Sequence, residues 1–214
     1  MGPMRLFVGV WLSKTIQDTV MNYIDRSRRE FLGWKWTKRQ NLHFTLKFFG
    51  EVPEGRLNEL SVALKTAAVQ THPFTLQLDN IGFFPKRGTP RIMWLGVGKG
   101  EPELVQLADS VERNCLEQGF GISDKPFQPH VTIARAKQED IHTENTPLLV
   151  NSLLVNPLPV NPFGKSPDLS LSKLDFETKM SVCGFSLIES CLYPSGAVYK
   201  TIEDFKFEKS SKTS

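Results

Sequence analysis

The chain has 214 residues, of which 40% are hydrophobic and 23% charged, and fifteen Phe and four Trp can fill a real core, which excludes global disorder. Twenty-six basic against 23 acidic residues leave a formal charge of +3, too even for a general nucleic-acid coating protein but compatible with a local basic groove. No apolar run approaches the ~18 residues a membrane span needs, and the start lacks the basic-then-apolar pattern of a signal peptide.

Arg5 to Trp11 reads as a strand, with Leu6, Phe7, Val8 and Val10 as β-formers. Ser13 is a good N-cap for a helix carrying Ile16, Val20, Tyr23, Ile24 and Phe31, which Gly33 ends. Trp34-Lys35-Trp36 leads to a strand over Leu42 to Phe49, stopped by Gly50. Pro53 opens a second helix with Leu57, Leu60, Leu64, Ala67 and Ala68 on one stripe, broken at His72-Pro73. Strands at Phe74 to Phe84 and Arg91 to Val97 flank a basic turn holding Lys86 and Arg87. A third helix runs from Pro102 to Gly119, followed by a strand over Gln128 to Ala134. Residues 137–180 hold five prolines and no clear period, and read as an irregular insertion. Val182 to Leu192 and Ala197 to Ile202 form a hairpin pattern around Pro194-Ser195-Gly196. These elements predict a single α+β domain over residues 4–205 and a disordered tail over 206–214.

Strand, helix and His-bearing strand occur in the first fifty residues and again over 91–135. The echo is sharpest at His43-Phe44-Thr45-Leu46 and His130-Val131-Thr132-Ile133. Strand alternation puts each His beside its Thr on one face and the apolar pair on the other. If the halves pair about an approximate two-fold, both His-Thr faces line one cleft. Two imidazoles can then act as an acid-base couple near neutral pH, and two hydroxyls can donate to the oxygens of a phosphate. Neither tetrapeptide has a neighbouring carboxylate or Cys, so no metal is expected. His72 and His142 lack the pattern and read as structural or solvent-facing.

Arg5-Leu6-Phe7-Val8-Gly9-Val10, Asn41 to Gly50 around the first motif, Pro90 to Gly96, Phe127 to Arg135 around the second, and Glu189-Ser190 with a late Tyr199 together resemble the two-histidine phosphoesterases. The resemblance is nearest to the bacterial and archaeal RNA 2′,3′-cyclic phosphodiesterases of the LigT type, once named 2′-5′ RNA ligases. It covers residues 4 to about 136 and resumes near 182–202. It implies a bilobal pseudo-two-fold arrangement of antiparallel sheets, helices packed outside and a cleft between the lobes. It also implies opening of a 2′,3′-cyclic phosphate to a 2′-phosphate, with His130 as general base, His43 as general acid, Thr45 and Thr132 on the phosphate oxygens, and no cofactor. A non-catalytic nucleotide-binding module and 2′-5′ ligation by the reverse reaction are the alternatives.

Further substrate-binding candidates follow by position. Arg135 can hold a phosphate as a guanidinium fork, but strict alternation puts it opposite His130, so it needs a strand end or a bulge to reach the cleft. Lys47 falls on the His43 face, where it can touch a phosphate or sit on a solvated rim. Phe48 can stack a base or belong to the core. Lys35, Lys38, Arg39, Lys86, Arg87 and Arg91 can follow an RNA backbone or form a scattered basic surface. Trp34 and Trp36 can stack on bases or anchor their strand. The partner expected is RNA with a cyclic end, or a cyclic nucleotide, acted on by a monomer with no membrane association. Three Cys without metal spacing fit a reducing cytoplasm.

Overall fold

The structure, a computed structural model, describes residues 2–29, 31, 33–85, 89–136, 178–194 and 196–208. The turn residues Lys86 and Arg87, His142, most of the 137–180 insertion and the chain beyond 208 lie outside the described residues.

Strand β1 (Met4–Trp11) and helix α1 (Lys14–Ser27) begin the chain. The Ser13 hydroxyl accepts from the Ile16 amide at 3.3 Å, and Ile16, Val20, Tyr23 and Ile24 are buried. The helix stops at Ser27, short of the expected Gly33. Phe31 nevertheless stays buried, with Trp34, Trp36 and Phe83 around it. Both tryptophans therefore anchor β2 (Trp34–Trp36). Strand β3 (His43–Val52), helix α2 (Leu57–Val69), strands β4 (Phe74–Phe84) and β5 (Ile92–Val97), helix α3 (Glu101–Glu117) and strand β6 (Val131–Ala136) follow. Strands β7 (Lys179–Val182), β8 (Gly184–Tyr193) and β9 (Gly196–Lys206) complete it.

Two boundaries differ from expectation. Regular structure resumes at Lys179, because Thr75 and Leu76 of β4 pair with Ser181 and Met180. The ordered chain also runs past 205. Lys206 pairs with Gly184, the Phe207 amide donates to the Cys183 carbonyl at 2.9 Å, and the buried Phe207 ring stacks on Phe74. An apolar ring at 207 extends the domain into what composition alone reads as tail.

All the strands belong to one antiparallel path in the order β7-β4-β5-β6-β3-β1-β8-β9, with β2 on β6. The lobes are thus two halves of one curled sheet that meet at β6 and β3. Outward from that seam, β3-β1-β8-β9 mirrors β6-β5-β4-β7, which is the expected pseudo-two-fold. Phe44 and Val131 pair across the seam and are fully buried. Leu60 and Leu64 of α2 and Leu104, Leu107 and Val111 of α3 share one core with the apolar faces of the strands. No helix among the described residues is long and apolar enough to cross a membrane.

Candidate active site

The seam sets the site. With Phe44 opposite Val131 in an antiparallel pair, the same register puts His43 across from Thr132 and Thr45 across from His130. The four polar side chains share the face opposite the core and line a cleft of about 330 Å³.

Each motif strand carries an extra residue just past its Thr. Against β1, Gly9 faces Thr45 and Val8 faces Lys47, so Leu46 is inserted. Against β5, Trp94 faces Thr132 and Met93 faces Ala134, so Ile133 is inserted. These twin bulges reverse the alternation beyond them. Arg135 thereby returns to the face of His130 and lines the cleft, by the bulge and not by a strand end.

The same slip overturns the reading of Lys47. Its side chain turns into the protein and is 2% exposed. The ammonium donates to Glu112 Oε2 at 2.8 Å, the Gly121 carbonyl at 2.7 Å and Ser123 Oγ at 3.4 Å. Burial alone would raise the Glu112 carboxyl, but hydrogen bonds from Lys47 and Ser123 hold it below its ordinary value. Phe48 emerges on the outside, 47% exposed, with the Arg5 guanidinium 4.7 Å from its ring centroid. It is neither core nor part of the cleft lining.

Both imidazoles are oriented alike. His43 Nδ1 lies 2.7 Å from the Asn41 carbonyl, and His130 Nδ1 lies 2.7 Å from the Gln128 carbonyl. A carbonyl only accepts, so each Nδ1 carries the proton and each Nε2 is left as the working nitrogen. The Thr45 hydroxyl donates to His43 Nε2 at 3.0 Å. Phe7, Trp11 and Tyr199 surround the His43 ring, with centroids 4.8, 5.5 and 5.3 Å away. Phe84 and Trp94 stand edge-on to His130. Burial pushes His43 down from 6.5 to about 4, with the His130 and Arg135 charges adding to the effect. His130 is lowered too, chiefly by burial and then by Arg135, partly offset by its bond to Gln128. In the free protein both rings therefore favour the neutral form more than an exposed imidazole does.

The cleft wall beyond the motifs comes from β2, the β2–β3 connection and the β8–β9 hairpin, which include the sequence candidates Lys35 and Lys38 and the late Tyr199 of the resemblance. The Thr37 amide and hydroxyl donate to the Ile133 and Thr132 carbonyls, each at 2.9 Å, clamping the β2–β3 connection to β6. The Asn41 side-chain amide donates to the Ala197 carbonyl at 3.0 Å, tying the same connection to the β8–β9 hairpin. Tyr199 brings its ring against His43 from that hairpin. Lys35, Lys38 and Arg135 line the cleft, and no acidic residue does among those described. Arg39 is instead engaged with Asp18. His72 lies in the connection between α2 and β4, apart from the cleft lining. A pocket with cations, two hydroxyls and two imidazoles suits an anionic, phosphate-bearing ligand.

Comparison with known proteins agrees with this chemistry. A family model described as LigT like Phosphoesterase matches residues 10–94. A curated RNA 2′,3′-cyclic phosphodiesterase of Archaeoglobus fulgidus is 32% identical over 203 residues, covering 95% of this chain and all of the relative. The chain belongs to the LigT-like phosphoesterases. Another such relative, an RNA 2′,3′-cyclic phosphodiesterase of Aquifex aeolicus, is 31% identical and covers 94% of this chain and 96% of its own. Among solved structures, a protein of Thermus thermophilus superposes with a TM-score of 0.72 at 29% identity, covering 97% of this chain and 100% of that one. Escherichia coli LigT in its apo form shares the fold, with a TM-score of 0.68 at 24% identity over 97% of this chain and 99% of its own. As a LigT-like phosphoesterase the protein is a hydrolase of phosphodiesters, and the α+β curled sheet is that of its family.

Proposed function

We propose that the protein opens terminal 2′,3′-cyclic phosphates of RNA, or of cyclic nucleotides, to 2′-phosphomonoesters, using two histidines and no metal. The observation that carries this is the pair of imidazoles in one cleft, both with Nδ1 on a backbone acceptor so that Nε2 is unprotonated, and with no acidic residue among the described lining. The curated relatives named above are RNA 2′,3′-cyclic phosphodiesterases, which supports the substrate class.

In this mechanism the phosphate sits between the motifs. Thr45 and Thr132 donate hydroxyl hydrogen bonds to its non-bridging oxygens, and Arg135 adds a fixed positive charge where charge grows in the five-coordinate state. One Nε2 takes a proton from water as the water oxygen bonds to phosphorus. The other Nε2–H gives its proton to the departing 3′ oxygen as the P–O3′ bond breaks. The phosphate anion supplies what the free protein lacks, because a negative charge beside the rings raises both pKa values toward the working range.

His130 as base and His43 as acid follow the family resemblance. The reversed assignment has one observation in its favour: burial disfavours the protonated form of His43 and lowers its pKa to about 4. A cyclic phosphorothiolate with sulfur at the 3′ position tells them apart. Sulfur leaves without protonation, so that substrate rescues the variant lacking the acid and not the variant lacking the base. The primary test is an oligoribonucleotide with a 2′,3′-cyclic end, incubated in EDTA. A 2′-phosphate product supports the proposal. A 3′-phosphate overturns the leaving-group assignment, and binding without product favours a nucleotide-binding module.

A further inference from the structure

A 2′,3′-cyclic phosphate is a 3′ terminus, so the rest of an RNA chain can leave the cleft only through the 5′ oxygen of the last nucleotide. One exit must therefore carry any upstream strand. On the His130 side the ring meets Phe84 and Trp94, and Arg135 of the same strand supplies one positive charge. The wall formed by β2, where Lys35 pairs with Arg135 of β6, and by the connection after it carries two more cations. Lys35 and Lys38 line it, and neither takes part in any of the ion pairs found among the described residues. Their neighbour Arg39 is already bound to Asp18. Lys35 reaches across to the hairpin turn, where its Nζ lies 3.4 Å from the position a Cβ would take on Gly196.

The hairpin adds an apolar surface. Leu192 pairs with Ala197, which lines the cleft, so both share one face. Leu192 is 66% exposed, at the outer end of that face beyond Tyr199. The Asn41 bond to Ala197 holds this surface in place beside the first motif. Cations with no ion-pair partner among the described residues, beside the Tyr199 ring and an exposed apolar side chain on a fixed strand, are groups that single-stranded nucleic acid binds. The lysines take phosphates and the apolar face takes bases.

Resting on the proposed phosphodiesterase reading, we infer that the upstream strand of RNA leaves the cleft between β2 and the β8–β9 turn, with Lys35 and Lys38 on its phosphates and Leu192 beneath a base. The protein is thereby built for the ends of RNA chains in preference to cyclic mononucleotides.

The test compares kcat/KM for a short oligoribonucleotide ending in a 2′,3′-cyclic phosphate with that for the cyclic mononucleotide of the same base. The wild type, the Lys35→Ala/Lys38→Ala double variant and Leu192→Ser are measured, each first checked for an unchanged melting temperature. The wild type should favour the oligonucleotide, and the oligonucleotide-to-mononucleotide ratio should fall at least about tenfold in the double variant. The slope of log kcat/KM against log salt for the oligonucleotide should weaken by about 1.4, at ~0.7 per phosphate contact. Leu192→Ser should lower the ratio and leave the salt slope alone. A wild type that prefers the mononucleotide, or a double variant with the ratio and slope of the wild type, overturns the track while leaving the phosphodiesterase reading standing. A wild type that turns over neither substrate overturns that reading, and the track with it.

Discussion

Glu112→Leu should destabilise the protein far more than Lys47→Met, although the two residues form one ion pair. The lysine side chain is 2% exposed and the glutamate side chain 27%. Removing Glu112 strands a buried ammonium with one carbonyl at 2.7 Å and one hydroxyl at 3.4 Å. An uncompensated buried charge of this kind costs about 3–5 kcal/mol. In a domain of this size that lowers Tm by roughly 6–20 °C, at ~2–4 °C per kcal/mol. Removing Lys47 instead leaves a carboxylate that reaches water and keeps the Ser123 amide and hydroxyl, each at 2.7 Å. Methionine fills the apolar volume of the lysine stem, so the loss should stay near ~1 kcal/mol. Urea unfolding of both variants gives the two values directly, with kcat/KM measured alongside. Equal losses, or a larger one for Lys47→Met, would refute the burial argument. Lost turnover in Lys47→Met with Tm unchanged would return this lysine to the phosphate.

Four other outcomes are expected. His43→Ala and His130→Ala should each lower kcat by roughly 10²–10⁴-fold, with circular dichroism melts showing folded protein; near-wild-type turnover in either would break the acid-base pair. The pH dependence of kcat/KM, which reports the free enzyme, should show its acidic limb below 6.5 because both rings are lowered, and the limb for kcat should lie higher once the phosphate anion is bound. Folding stability should also fall with acid. His43 stays neutral in the folded state down to about 4 while the unfolded ring protonates near 6.5, so its share is present above 6.5 and lost by about pH 4. That interval is worth about 3 kcal/mol, and urea unfolding of His43→Leu across it should show a shallower slope than wild type. Gly9→Ala should reduce turnover at least about tenfold, since a Cβ there would lie 2.7 Å from the Phe44 carbonyl and 3.2 Å from His43 Cδ2; a variant as active as wild type would mean that strand β1 does not set the position of the ring.

Period and punctuation in the sequence locate the three helices, the motif strands and the closing hairpin. They bring His43, Thr45, His130 and Thr132 together because strand alternation holds within each tetrapeptide. It fails one residue later. Nothing in Leu46-Lys47 or Ile133-Ala134 marks an inserted residue, and a bulge is visible only against the partner strand. So Arg135 is placed correctly only with the bulge allowed for, and Lys47 is misplaced. Phe207 is missed for another reason: one ring among lysines and serines reads as tail until Phe74 and Phe185 are known to lie beneath it. Tyr199 and Asn41 act through contacts between segments about 156 residues apart, as the Asn41–Ala197 bond shows, and no local pattern reports that distance.

The twin bulges carry one more consequence. Because each strand slips by one residue at the same place, the fifth position after each histidine leaves the sheet in the same way. One strand presents Arg135 there and the other presents Phe48. The backbone is duplicated while its charge is not. A cyclic phosphate offers two ester oxygens of nearly equal shape, and a fully symmetric cleft would accept it either way round. With Arg135 in the cleft lining and Phe48 outside it, the two orientations differ in energy, and under the proposed reaction that difference selects which ester oxygen leaves.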